Sequence, residues 1–319
     1  MTLLTIIQDA CAELSLPIPT TVIGNRDPQV SQLLALSNRE GFEFAGSQGQ
    51  WSGWPELRQE YLFNLVPATG GNNGVYVGNT TINSNVLTGF ASTAGIQVGY
   101  GVSGGSILTG AIVSGVTSGP NGTVTLNTPA NATSTAQNFS FGQIAYDLPT
   151  DIQMFIAATW WDRNFRWQML GPISAQEWQT IVSGICPVGP RLRFRVMNGP
   201  SGNMQMFIQP PPGPQQTDTI AYEYTSTNWC QSAAGVTQPR WAADTDTYLW
   251  PDQTQTLGVK WRFLSAKGLP FSEELRMYEN AKQRQIARSG GNKTLALNSR
   301  AWGQHFLGGQ NIPDTGYGT

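Results

Sequence analysis

From Tyr61 to Tyr146 the chain carries no Asp, Glu, Lys, Arg or His. Ionised residues serve both catalysis and solubility, so a stretch of this kind is foreign to an ordinary enzyme. Gly, Ser, Thr and Asn dominate it, with short alternations such as Thr80-Thr81-Ile82, Ala111-Ile112-Val113, Thr123-Val124-Thr125-Leu126 and Asn138-Phe139-Ser140-Phe141. Alternating runs bounded by Gly, Asn and Pro read as strands joined by tight turns. The expectation is a small all-β module with an uncharged exterior. A disordered Gly/Ser linker is the alternative. The β-branched pairs and the aromatic residues Tyr76, Phe90, Tyr100, Phe139 and Phe141 argue against it.

Before the module, Glu60-Tyr61-Leu62-Phe63-Asn64-Leu65-Val66-Pro67 alternates and stops at a proline; after it, Phe141-Gly142-Gln143-Ile144-Ala145-Tyr146-Asp147-Leu148-Pro149 does the same. Two such runs read as the arms of one hairpin whose turn the module replaces, since exposed loop tips accept insertions. The division expected is a discontinuous parent domain of residues 1–67 and 141–288, an inserted β domain of residues 68–140, and a C-terminal arm of residues 289–319.

With a net charge of −2 and 12% charged residues, the chain lacks the basic face that nucleic-acid binding or polybasic membrane attachment requires. Cys11, Cys186 and Cys230 have no metal spacing and suit reduced, buried thiols of a protein folded in a cytoplasm. No apolar run approaches the roughly 20 residues of a membrane span. The N-terminus lacks the basic flank of a signal peptide, so the Asn-x-Ser/Thr sites at Asn79, Asn121, Asn131 and Asn138 read as turn chemistry.

In the parent domain, Thr2 caps a helix with Leu3, Ile7, Ala10 and Leu14 on one face. Asp27-Pro28 starts a second helix carrying Val30, Leu33, Leu34 and Phe44. Ser174-Ala175-Gln176-Glu177 is a capping box for a short helix with Trp178 and Ile181. Pro251-Asp252 begins another helix, with Leu257, Trp261 and Leu264 as its stripe, and Ser272 opens the last. Residues 191–196, 204–209 and 219–224 read as strands, and residues 154–169 as strand in part. The fold class expected is α+β: a helical bundle packed with an antiparallel sheet, plus the inserted all-β domain and an extended arm. In the arm, glycines break any helix, and Leu295, Leu297, Trp302, Phe306 and Tyr317 are spaced anchors for a partner.

Catalytic patterns occur only as strings. Gly99-Tyr100-Gly101-Val102-Ser103-Gly104 matches the dinucleotide fingerprint, but β-like sequence follows it and no acidic residue appears before Asp147. Gly101-Val102-Ser103-Gly104-Gly105 matches a nucleophile elbow, yet the one histidine, His305, lies in the arm. Asp244-Thr245-Asp246 could be half of a carboxylate metal site; the plainer reading has these acids preceding and capping the helix near Pro251. Trp160, Trp161 and Trp167 could stack on sugars or bases, but their alternating neighbours favour core or subunit-interface packing. Arg191, Arg193 and Arg195 fall on one face of a strand at period two, as ion-pair partners or lumen-lining charges. No catalytic, cofactor or metal site is assigned.

Several short stretches, in order, carry a resemblance. They are residues 3–14, Leu148-Pro149-Thr150-Asp151, Trp161-Asp162-Arg163, Gly171-Pro172-Ile173-Ser174-Ala175-Gln176-Glu177-Trp178, Tyr222-Glu223-Tyr224, Ala243-Asp244-Thr245-Asp246, Lys260-Trp261-Arg262 and Ala266-Lys267-Gly268. With the module set aside, the chain resembles the head-to-tail adaptor (connector) proteins of short-tailed bacteriophages and related prophages. The resemblance implies a structural virion protein, not an enzyme, at the portal vertex. About twelve copies would form a homo-oligomeric ring between the portal protein and a tail nozzle or tail tube. Genomic DNA would pass through without sequence-specific contact, and the arm would reach the portal. The module departs from the plain family pattern. A tail fibre or receptor-binding protein recognising host glycans through the module is the alternative, and a virion hydrolase comes third.

Overall fold

The computed structural model describes residues 1–47, 53–119, 121–184, 191–200 and 202–290. The chain opens with α1 (Leu3–Glu13), α2 (Pro28–Gly46), a 3-10 turn (Pro55–Leu57) and β1 (Arg58–Asn64). Strands β2 (Tyr76–Thr80), β3 (Val86–Leu87), β4 (Tyr100–Ser103), β5 (Val113–Val116), β6 (Val124–Leu126) and β7 (Ser134–Gln143) follow. Next come β8 (Ala145–Asp147), β9 (Ile152–Phe155), β10 (Trp161–Asp162), β11 (Trp167–Gln168) and α3 (Ala175–Val182). The remainder is β12 (Arg193–Asn198), β13 (Met204–Gln209), β14 (Thr219–Ser226), β15 (Cys230–Gln231), β16 (Thr237–Gln238), β17 (Thr247–Tyr248), α4 (Asp252–Ala266) and α5 (Ser272–Gly290). The fold therefore mixes helices with several small antiparallel sheets.

Local chemistry sets the helix starts. The Thr2 hydroxyl accepts from the Thr5 N–H, the Asp27 carboxylate accepts from Gln29 N at 2.8 Å ahead of Pro28, and Ser174 and Glu177 form a reciprocal capping box. Helix α4 packs against α1, α2 and α5. Its buried face is not the Leu257, Trp261 and Leu264 stripe read from the sequence, since those three are only half-buried. Gln255, Gly258, Val259, Lys260, Arg262 and Phe263 are buried instead. A helix enclosed on three sides must bury polar residues as well, and each then needs a partner. Gln255 finds one by donating to the Ser37 carbonyl at 2.7 Å.

One hydrophobic cluster joins these helices to an aromatic group. Phe44 stacks on Trp54 with centroids 4.9 Å apart, Trp250 meets both edge-on, and the Trp54 indole donates to the Phe44 carbonyl at 3.0 Å. Gly41 is required by close approach, because a Cβ there would lie 2.4 Å from the fully buried Trp229 ring.

A second cluster lies between two sheets. In one, β14 is central, with β1 along one side and β9 and β10 along the other; in the second the order is β12-β13-β8. The hairpin expected between the runs 60–67 and 141–149 is confined to its inner end, at Val66–Ala68 and Phe141–Gln143. Strand β1 pairs over its full length with β14, while β8 pairs with β13. The inner face of β1 presents Tyr61 and Phe63; Tyr222 of β14 meets both rings, and Tyr146 of β8 meets Phe63 from the facing sheet, centroids 4.8 Å apart.

The third cluster is built from Ala68 to Phe141. Its strands form two three-stranded sheets, β2-β7-β4 and β3-β6-β5, around Tyr76, Leu87, Phe90, Val124, Phe139 and Phe141. The chain enters and leaves through a narrow neck. Gln143 N donates to the Val66 carbonyl and Ala68 N to the Phe141 carbonyl, both at 2.8 Å, around a bridge between Pro67 and Gly142. The Tyr146 hydroxyl accepts from Val66 N at 3.1 Å and donates to the Gln143 carbonyl at 2.9 Å, which locks the two passes together. Beside the neck, Gly101 and Gly142 lie close against Pro211 and Pro212.

The bond from Gln143 N to Val66 O is the one that closes a two-residue turn. Replacing residues 67–142 by Asn-Gly is expected to leave a protein with a single cooperative melting transition, monitored by tryptophan fluorescence. Loss of that transition would mean that the remaining helices and sheets depend on the excised strands.

Candidate functional surfaces

Helix α4 carries two cations inward. The Arg262 Nε lies 2.7 Å from Glu40 and its terminal nitrogen 2.9 Å from Glu43, both on α2, while the guanidinium also covers the Trp261 ring. Lys260 reaches Glu13 on α1 and lies 3.1 Å from Glu274 on α5. Helices α1, α2 and α5 are thus each tied to α4 by charge as well as by packing. Burial pushes the Glu40 carboxyl up, with the Tyr278 hydroxyl and the Arg262 guanidinium pulling against it. Gly258 makes room for this pair: a Cβ there would lie 2.3 Å from the Glu40 carboxyl carbon.

Burial also raises Tyr146, Tyr222, Tyr224, Tyr248 and Tyr278, and pushes the Cys230 thiol up to about 12. Burial works against the Lys260 ammonium, yet Glu13 and Glu274 outweigh it and hold its value up. Each of these groups keeps its proton in the folded state at a pH where the unfolded chain has released it. The folded state then binds more protons, so stability falls as pH rises above about 9–10. Alkaline titration should show tyrosinate absorbance at 295 nm rising cooperatively as near-UV circular dichroism collapses. Gradual titration of all 9 tyrosines with tertiary structure intact would contradict this.

Of the three arginines expected on one strand face, the structure places Arg193 and Arg195 there, alternating with the fully buried Phe194. Arg191 precedes the strand and is exposed. The ladder starts at the Arg193–Gln209 pair because Pro210 follows and has no N–H to extend it. Among the described residues neither Arg193 nor Arg195 joins an ion pair. Arg193 borders a groove of about 370 Å³ with Leu170, Ile173, Glu177, Thr180 and Ile181.

The tryptophans divide. Trp160 is 3% exposed and packs on Phe194, whereas Trp161 and Trp167 are 37% and 39% exposed. Cross-strand partners share a face, and Leu62, Ala221 and Trp161 are consecutive partners on β1, β14 and β10. This gives an apolar row open to solvent at both ends. Trp167 pairs with Asp162 and so belongs to the other face of the sheet, where it stacks on Phe165 with centroids 5.6 Å apart. Sequence reading did not single out Leu62 or Phe165; their exposure depends on a strand partner far along the chain.

The catalytic strings do not assemble. Tyr100 to Ser103 is strand β4, paired with β7, and no helix follows it to receive a phosphate. Gly101 is needed for its approach to Ile144 and Pro211, and Gly104 for its approach to Phe139. Asp244 and Asp246 neither cap α4 nor face each other across a metal. Asp244 accepts from Val22 N and Ile23 N, pinning the loop after α1, and Asp246 accepts from Ala242 N and Ala243 N. The cap position of α4 is Pro251, with no side-chain bond. Among the described residues no group of three or more His, Cys, Asp or Glu is placed to hold a metal ion, and no helix is long and apolar enough to cross a membrane. Leu295, Leu297, Trp302, His305, Phe306, Tyr317 and Cys186 lie outside the described residues. The sequence matches no family model and no curated protein.

Proposed function

We propose that this chain is a head-to-tail adaptor of a bacteriophage virion, a structural protein rather than an enzyme. In this reading α1, α2, α4 and α5 form a helical bundle packed with the antiparallel sheets, residues 68–140 are an inserted uncharged β domain, and residues 289–319 are a portal-binding arm. About twelve copies close into a ring that joins the portal to the tail nozzle or tail tube and continues the DNA channel. Arg193 and Arg195 are the channel-lining candidates that remain on a strand face, Arg191 standing just before it. No cofactor and no membrane take part. The ring is assembled in the host cytoplasm and resides at the portal vertex.

The observation that carries the reading is the exposed apolar side chains on both faces of the β10–β11 hairpin, Trp161 in a row with Leu62 on one face and Trp167, stacked on Phe165, on the other. Covering such surface gains about 25 cal/mol per Å². A patch on one side of a subunit, met by a different surface of the next, generates a ring where the rotation closes. The arm orders on the portal in this scheme, so ring formation draws on that contact.

Mass photometry of the protein with and without its portal ring tests the reading. The purified protein alone is expected as monomers or small oligomers, and as a ring of subunits once portal is added. Trp161→Glu with Trp167→Glu should leave the melting transition in place and abolish the ring. If the double variant assembles like the parent, the aromatic surface is not the subunit contact.

A further inference from the structure

The uncharged strands β2 to β7 hang between two different sheets. The chain enters them from β1, which pairs with β14, and leaves them into β8, which pairs with β13. The segment joining β13 to β14 is Pro210-Pro211-Pro212-Gly213-Pro214-Gln215-Gln216-Thr217-Asp218. It therefore runs from the partner of the exit strand to the partner of the entry strand, across the base of the uncharged domain.

Three parts of that domain rest on the segment. Gly101 of β4 and Gly142 of β7 are cross-strand partners, so they share a face and leave a flat spot without side chains. Pro211 and Pro212 lie on this spot and are buried: a Cβ at Gly101 would come 2.7 Å from Pro211, and one at Gly142 2.9 Å from Pro212. In the turn before β2, a Cβ at Gly74 would come 3.1 Å from Pro214. Proline fixes its own φ, and a proline-rich run is extended and stiff. The far end of the run is tied down as well. Gly213 N donates to Gln216 Oε1 at 2.9 Å, Gln216 Nε2 donates to Asp218 at 2.6 Å, and the Asp218 carbonyl accepts from Leu65 N at 2.9 Å. A second contact lies on the loop between β4 and β5, which takes no part in the neck. There a Cβ at Gly110 would come 2.6 Å from the Val182 side chain at the end of α3.

A neck of two chain passes is by itself a hinge. We infer that Pro211–Pro214 is a strut which, with the end of α3, holds the uncharged domain at one fixed angle to the sheets. The domain and the rest of the chain then meet any partner as one rigid surface. This goes beyond the adaptor reading and does not depend on it, since it concerns one chain alone.

NMR relaxation of backbone amides in the full chain tests it, read as the rotational correlation times of the two parts. Amides of β2 to β7 and of β12 to β14 are expected to share one value. Combining Pro211→Gly, Pro212→Gly and Pro214→Gly turns 211–214 into a glycine run, which bends freely, and should shorten the value for β2 to β7 about twofold relative to β12 to β14. Gly142→Val, whose side chain pushes into Pro212, should do the same. Unchanged amide shifts at Tyr76, Phe90 and Phe139 show that the domain's own core is intact. Where Gly142→Val loosens that core, the proline variant decides, since none of its substitutions lies there. Two different values in the parent protein overturn the proposal. One shared value in the proline variant overturns it too, because the strut would then bear nothing.

Discussion

Arg262→Met is expected to lower stability by roughly 3–5 kcal/mol, because it leaves a buried carboxylate without its partner. Glu40 is fully buried and Arg262 is 8% exposed, so water cannot replace the lost contact. The Glu40 carboxyl would respond by holding a proton to still higher pH, which recovers part of the loss under acidic conditions. Removing both members changes the balance. The pair Arg262→Met with Glu40→Leu should cost far less than Arg262→Met alone, since no buried charge remains. Thermal and urea melting of the two variants reads this directly. If the single and double variants melt alike, the ion pair is not what orders α2 against α4.

Removal of the arm is expected to have the largest effect on assembly. A chain ending at Arg288 should keep its cooperative melting transition and lose co-sedimentation with portal rings. Fully extended, residues 289–319 reach on the order of 100 Å, and residues 299–319 alone about 70 Å, enough to leave their own subunit. Within that stretch Trp302 and Phe306 fall four apart and share a face of any helical turn formed on binding. Aromatic anchors dominate interface energetics, so Trp302→Ala should weaken portal binding by about 2 kcal/mol, near 30-fold. Unchanged affinity of the shortened chain would move the attachment to the helices.

The elements written in short-range chemistry were legible in the sequence. Asp27-Pro28, the Ser174–Glu177 capping box and the turn-bounded strand Met204–Gln209 need only neighbours within a few residues to form. The strand-and-turn character of the uncharged stretch was legible for the same reason. What failed was non-local. Strand β1 finds β14 more than 150 residues later, and nothing in either run names the other. The buried face of α4 was misread because Lys260 and Arg262 become core residues only once Glu13, Glu40, Glu43 and Glu274 arrive from three other helices. Asp244 and Asp246 had the spacing of a metal site or a cap, yet their partners are loop amides at residues 22, 23, 242 and 243. Arg191 dropped off its strand because a proline faces it in the register.

A cryo-EM reconstruction of the protein bound to its portal ring tests the central claim most directly. The expected result is a closed ring of about twelve subunits around an open channel. Leu62, Trp161 and Trp167 should lie at subunit contacts, and Trp302 in density on the portal. A trimeric particle that ignores the portal would contradict it and would favour receptor binding through the uncharged strands.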